Sequence, residues 1–235
     1  MGGARNRADD AAPIEHMDFR PCDVLFEAGR LKKRGPSTAA DGAIREMGVI
    51  VTRILIAFGT TEGHSAKIAD YIAEVVRSHG IEADVVDVKR SGNVHPDSYN
   101  AIIVGGSIHM GKHGDHVRNF VERNRTVLDR LPSALFSVSL AASGDLENAQ
   151  AYVDNFTRET GWHPAQVGLF AGALLYTQYG LIKRYMMKRI VRDKPGALST
   201  DTSRDYVYTD WDAVKRFSEK FLEGVVQQTE GARRS

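Results

Sequence analysis

The sequence predicts a doubly wound α/β domain built on five parallel strands. Short, continuous apolar runs alternate with stretches of helical period from residue 53 onward, and glycine or proline stops the helical stretches. Strands that alternate with helices in this way imply right-handed βαβ crossovers and a parallel sheet covered on both faces.

The first strand is "RILIAF" (53–58), an apolar run of the kind expected where both faces are buried. "SAKIADYIAEVVRSHG" follows with Ile68, Ile72, Val75 and Val76 at helical spacing and Gly80 as its stop. "ADVVDV" (83–88) and "AIIVGG" (101–106) are the second and third strands. In "DHVRNFVERNRTVLDRL" the buried stripe is Val117, Phe120, Val121 and Leu128, and Pro132 ends the helix. "ALFSVSLA" (134–141) gives the fourth strand and "LENAQAYVDNFTRETG" a further helix. "QVGLFAGAL" (166–174) is the fifth strand, and "DWDAVKRFSEKFLEGVV" a closing helix. No internal repeat is present.

The 235 residues suffice for one domain of good size with a tail. A formal net charge of +1 argues against a strongly acidic electron shuttle and against a dedicated nucleic-acid binder. Cys22 is the single cysteine, so no internal disulfide forms and a reducing cytoplasm is the expected setting. The longest apolar stretch, Val167 to Ile182, is interrupted by Thr177 and Gln178, and reads as a buried strand running into a loop.

Residues 1–48 have a different character. Arg5, Arg7, Asp9, Asp10, the cluster Lys32-Lys33-Arg34 and a Gly/Pro/Ser/Ala-rich stretch show no sustained period, so a disordered extension is expected. It lacks the apolar core of a signal peptide, and its acids are unlike a transit peptide. Translation from Met47 is the alternative. The folded domain is expected over 52–228.

"FGTTEGHS" (58–65) follows the first strand and opens the first helix. Unpaired N–H groups and the helix dipole favour an anion there. Thr60, Thr61 and Ser65 add hydroxyls, and Gly59 and Gly63 permit close backbone approach. No lysine follows Gly63, so the nucleotide-hydrolysing spacing G-x-x-x-x-G-K-[ST] is absent, as is the dinucleotide spacing G-x-G-x-x-G. A capped helix start with only local hydrogen bonds is the plainer alternative.

"ILIAFGTTEGHSAKIA" resembles the phosphate loop of flavodoxins, with two departures: Gly59 stands where a Ser or Thr is usual, and Glu62 lies inside the loop. An acid beside a phosphate repels it, so Glu62 is expected to point outward with its N–H toward the ligand. "AIIVGGSIHMGKH", "SALFSVSLA", "GWHP", "FAGALLY" and "YVYTDW" are together similar to the menaquinone-dependent protoporphyrinogen dehydrogenases, flavodoxin-like enzymes of bacterial haem synthesis. The similarity runs from about Ile54 to about Val226. It implies strand order 2-1-3-4-5, FMN as cofactor, and transfer of hydrogens from protoporphyrinogen IX through the flavin to a quinone. Carried onto this chain, Thr60, Thr61, Glu62, Gly63, His64 and Ser65 bind the phosphate. Ser107, Ile108, His109, Met110 and Gly111 flank the isoalloxazine on one side, and Ala141, Ala142, Ser143 and Gly144 on the other. The resemblance names no general base.

Between about 175 and 206 the chain is longer than a strand-to-helix link requires, so an insert after strand five is expected. Its "YGLIKRYMMKRIVRDK" reads as a basic amphipathic helix, with Ile182, Met186 and Ile190 opposite Arg184, Lys188 and Arg192. Such a helix suits an anionic membrane surface, and equally the propionates of a porphyrin; a solvated surface helix is the plainer role. Tyr179, Lys183, Arg184, Lys188 and Arg192 are the expected substrate or membrane contacts. The expected location is cytoplasmic, either free or peripheral on the inner face of the cell membrane.

The histidines of "HMGKHGDH", His109, His113 and His116, have ligand chemistry at close spacing, but two glycines on a flavin-side loop favour imidazoles near FMN over a metal. His64 either meets the phosphate or faces solvent. Tyr176, Tyr179 and Trp162 either stack on a ring system or pack in the protein. Two rival functions remain open: a soluble flavodoxin-type electron carrier or other FMN quinone reductase, and a binding module whose altered loop no longer holds flavin.

Overall fold

Five apolar runs pair side by side, all pointing the same way. They are β1 (Arg53–Gly59), β2 (Glu82–Asp87), β3 (Ala101–His109), β5 (Ser133–Ser139) and β6 (Gln166–Ala171). The sheet order is β2-β1-β3-β5-β6, every pair parallel, which is 2-1-3-4-5 counted over these five strands. A short β4 (Lys112–His113) folds back antiparallel on the end of β3. The computed structural model describes residues 53–91, 94–180, 185, 199 and 201–234. The extension expected over 1–48 lies outside the described residues, as do Lys183, Arg184, Lys188 and Arg192; Tyr185, between them, is helical and exposed.

Alternation along each strand divides the apolar side chains between two layers. Ile54, Ile56 and Phe58 of β1 face α1 (His64–Ser78) and α5 (Trp211–Arg234), meeting Ile68, Ile72, Phe217 and Phe221. Leu55 and Ala57 face the other way, onto Val117, Phe120, Leu128, Val153 and Phe156. Those residues come from α2 (Asp115–Arg123), α3 (Arg125–Arg130) and α4 (Leu146–Thr160). With both faces covered, each fully buried Ile, Leu or Phe contributes roughly 1.5–3 kcal/mol.

Three elements differ from the sequence expectation. The helix expected across "DHVRNFVERNRTVLDRL" is two helices, because Asn124 leaves the helical region (φ −110°, ψ 15°) and its side chain donates to the Phe120 carbonyl at 2.8 Å. The fifth strand changes partner at Gly172. Beyond it β7 (Ala173–Leu174) pairs antiparallel with β8 (Tyr206–Val207), and the Tyr208 N–H donates to the Gly172 carbonyl. Around this ribbon Leu174, Leu175, Tyr176, Tyr179 and Tyr206 form a small apolar cluster of their own. Lastly, "HMGKH" is a tight hairpin instead of an open loop.

Gly105 in β3 marks how closely the layers approach. A Cβ there would lie 1.9 Å from ring carbons of Phe136, which is core, not a flexible tip. Gly105→Ala is expected to cost about 1–3 kcal/mol through overpacking, read as a lower urea midpoint, with much of the loss recovered by Phe136→Leu in the same chain.

Candidate functional site

The carboxyl ends of β1, β3 and β5 release three loops at one edge of the sheet. The strand order turns at β1 and β3, the position at which open α/β sheets bind ligands.

The first loop is a compact helix start. Gly63 is left-handed (φ 84°, ψ −15°) and its N–H donates to Thr60 Oγ1 at 2.8 Å, which leaves the Thr60 hydroxyl proton for a further acceptor. No side chain caps α1 and its first turn holds no acid, so the N–H groups of His64 and Ser65 have no acceptor within the helix. The Ser65 hydroxyl is buried, with no hydrogen-bond partner among the described residues.

Three residues of this loop behave in ways the sequence does not announce. Gly59 is the last residue of β1, paired with Gly106, and a Cβ on it would lie 2.5 Å from Val117 Cγ2. The departure from a hydroxyl residue therefore has a steric cause: α2 crosses the sheet over two adjacent glycines. Glu62 does not point into solvent. It is half-buried, and the Tyr179 O–H donates to its carboxylate at 2.5 Å.

His64 is not solvent-facing either. It is only 7% exposed, and its Nε2 is 2.7 Å from Thr209 Oγ1. Thr209 spends its one proton on the Ala171 carbonyl at 2.7 Å, so His64 Nε2 must carry the hydrogen. Burial first, then Lys67, lowers the His64 pKa to about 4. The ring is a neutral strut from α1 to the end of β6, and brings no cationic charge to an anion.

In the second loop Ser107 and Ile108 are half-buried, and His109 and Lys112 pair across a turn made by Met110 (φ 50°) and Gly111 (φ 81°). Two successive left-handed residues are the geometry of a two-residue hairpin turn. The Met110 side chain is 91% exposed at the tip. His113, one of the imidazoles expected near the flavin, is drawn into the core. Its Nε2 hydrogen-bonds Ser137 Oγ at 3.1 Å, its ring lies 4.5 Å from that of Phe156, and burial lowers its pKa to about 4.

The third loop is a single 3-10 turn over Ala141–Ser143, with Ala141 buried and Gly144 exposed. Ser143 Oγ donates to the Leu140 carbonyl at 2.7 Å, and the Ala142 N–H donates to Ser139 Oγ at 3.3 Å. The second and third loops are neighbours: a Cβ on Gly111 would lie 4.0 Å from Tyr152, on the helix that follows the third. Of the aromatics considered for stacking, Trp162 and Tyr176 are fully buried, and the Trp162 indole N–H donates to Ser133 Oγ. Among the described residues, no group of three or more His, Cys, Asp or Glu is placed to hold a metal ion.

A profile of the flavodoxin domain matches residues 55–201. The chain is 34% identical over 169 residues to a protoporphyrinogen IX dehydrogenase [quinone] of Escherichia coli (strain K12), covering 71% of this chain and 92% of that protein. The chain belongs to the flavodoxin family, in its protoporphyrinogen IX dehydrogenase branch. A relative of the same name from Leishmania major is 34% identical over 173 residues, covering 72% of this chain and 74% of its own. Among solved structures, an archaeal flavodoxin matches with a TM-score of 0.43 at 18% identity, over 74% of this chain and 99% of its own.

The family's cofactor is FMN, and the first loop fits its phosphate. The uncapped helix start, the Ser65 hydroxyl, the spare Thr60 proton and the open space beside Gly63, where an added Cβ would meet nothing within 4 Å, are what a phosphate needs. The Glu62–Tyr179 and His64–Thr209 bonds were not legible in the sequence. Thr209 lies in "YVYTDW", one of the family motifs, and that was the one available signal.

Two outcomes follow for this site. Gly59→Ser, which supplies the hydroxyl usual in the family, is expected to destabilise by about 1–3 kcal/mol against stiff Val117, with partial recovery on adding Val117→Ala; urea unfolding reads both. Both buried histidines stay neutral in the native state down to about pH 4, against an ordinary value of 6.5 when unfolded. Between those limits the unfolded chain binds more protons, so stability falls as pH drops from about 6.5 toward 4. Each histidine gives a slope of at most about 1.4 kcal/mol per pH unit. Urea midpoints at pH 7, 6 and 5 should show that slope, and the double variant His64→Gln/His113→Gln should flatten it.

Proposed function

We propose that this protein is an FMN-dependent protoporphyrinogen IX dehydrogenase that passes electrons to a quinone in haem biosynthesis. The reading is carried by the match to the E. coli relative, which spans 92% of that protein at 34% identity. The first loop supports it with a helix start suited to a phosphate, and the turn of the strand order at β1 and β3 supports it as the position where open α/β sheets bind ligands.

When bound, FMN supplies the redox chemistry, taking hydrogens from the porphyrinogen and releasing the electrons to the quinone. The chain's own residues position and shield. Thr60, Thr61, Gly63 and Ser65 hold the phosphate through hydroxyls and main-chain N–H groups, and the α1 dipole adds to that grip. The hairpin at Ser107–Gly111 and the turn at Ala141–Gly144 flank the isoalloxazine. Met110, exposed at the hairpin tip, is placed to meet an apolar substrate or acceptor. No described helix is long and apolar enough to cross a membrane. The protein works in the cytoplasm and reaches a lipid-soluble quinone by peripheral contact, for which the basic residues Lys183, Arg184, Lys188 and Arg192 in the sequence are suited.

The test is purification with an absorption spectrum, then an anaerobic assay with protoporphyrinogen IX and a quinone. A yellow protein that forms porphyrin only when quinone is present is the expected result. A yellow protein without porphyrinogen turnover would assign it as an electron carrier, and a colourless protein that ignores added FMN would end both flavin readings.

A further inference from the structure

Glu62 places a carboxylate in the loop that has to accept a phosphate. The chain meets that charge from a distant segment: the Tyr179 O–H donates to Glu62 Oε2 at 2.5 Å, across 117 residues of sequence. A hydrogen bond to an ionised acceptor is short and roughly twice as strong as a neutral one.

Tyr179 does not act as an isolated side chain. It is buried, and its ring is edge-on to Tyr176 at 6.0 Å; Tyr176 is edge-on to Tyr206 at 6.4 Å, and Tyr206 stacks on Tyr208 at 6.3 Å. Tyr176 donates its O–H to the Ser199 carbonyl at 3.0 Å, and the Ser199 N–H donates to the Tyr208 oxygen at 2.7 Å. The β7–β8 ribbon joins the two ends of this module. Burial, and then the bond to Glu62, push the Tyr179 phenol well above its ordinary value, so it remains a donor across the neutral range.

We propose that Tyr179 is a positioning residue for the FMN phosphate: it holds the Glu62 carboxylate on the tyrosine module, keeps that charge off the phosphate, and links FMN binding to the order of the β7–β8 ribbon. The proposal rests on the FMN reading above. Linkage is reciprocal, so whatever the ribbon contributes to FMN affinity, FMN returns to the ribbon. A purely structural staple differs in one respect: it is indifferent to whether residue 62 carries a charge.

The test is titration of the flavin-free protein by fluorescence quenching, with FMN and with riboflavin, which has the same ring and no phosphate. Tyr179→Phe keeps the ring packing and is expected to weaken FMN binding about tenfold while leaving riboflavin binding unchanged. Glu62→Gln alone, which leaves the tyrosine module intact, is expected to tighten FMN binding. Glu62→Gln added to Tyr179→Phe is expected to restore FMN affinity to within about twofold of the unsubstituted protein. Amide exchange over residues 173–179 should slow on adding FMN, and should not in Tyr179→Phe.

Equal losses for FMN and riboflavin, a double variant as weak as Tyr179→Phe, or FMN-independent exchange would overturn the proposal. Unsubstituted protein that binds FMN, with Tyr179→Phe binding as well, removes the linkage and leaves the cofactor reading standing. Unsubstituted protein that takes up no FMN removes both.

Discussion

A parallel sheet buried on both faces is the constraint from which the other features follow. Its strands point one way, so each crossover has to climb back over a face as a helix, and the carboxyl-end loops collect at one edge. The order β2-β1-β3-β5-β6 sends crossovers to opposite faces on either side of β1. At that division the main chain thins to Gly59 and Gly106, paired in register, with Val117 of α2 packed over them. The loop that opens α1 begins one residue later. Its placement is a product of how closely a helix can lie on a sheet.

The loop also depends on residues remote in sequence. Thr60 shapes it from inside, through Gly63. His64 ties the start of α1 to Thr209, and through it to the Ala171 carbonyl at the end of β6. Glu62 is tied to Tyr179. A segment whose composition reads as local is therefore held at two points by the last third of the chain. A neutral imidazole suits such a strut, since a charged one would need solvent that the site does not admit.

The fold was legible because burial on both faces leaves a contiguous apolar signature, as in "RILIAF" and "AIIVGG", and because helical period is plain in α1, α4 and α5. Two of the misread elements share a cause: one residue whose conformation overrides the pattern around it. Asn124 divides a helix whose apolar stripe continues through Leu128. Met110 takes a left-handed conformation that its residue type does not advertise, and so makes a hairpin of an apparent loop. At the site, the resemblance pointed to the loops but not to their bonds. Glu62 and Tyr179 each stood out in sequence for separate reasons, and their pairing exists only after β6 and the ribbon have folded. Gly59 looked like a defect in the phosphate loop because the reason for it, Val117, stands on another element.

The ribbon β7–β8 has a consequence for how the family can vary. Gly172 starts it, Tyr208 closes onto Gly172, and Ser199 is pinned by Tyr176 and Tyr208, so the chain departs and returns through one narrow neck. Among the described residues, the contacts that close this neck come from the ribbon and its tyrosines. Closing such a loop costs only about 0.6 kcal/mol more for each doubling of its length. A neck closed in this way lets the connection across it change length at little expense to the ribbon that closes it.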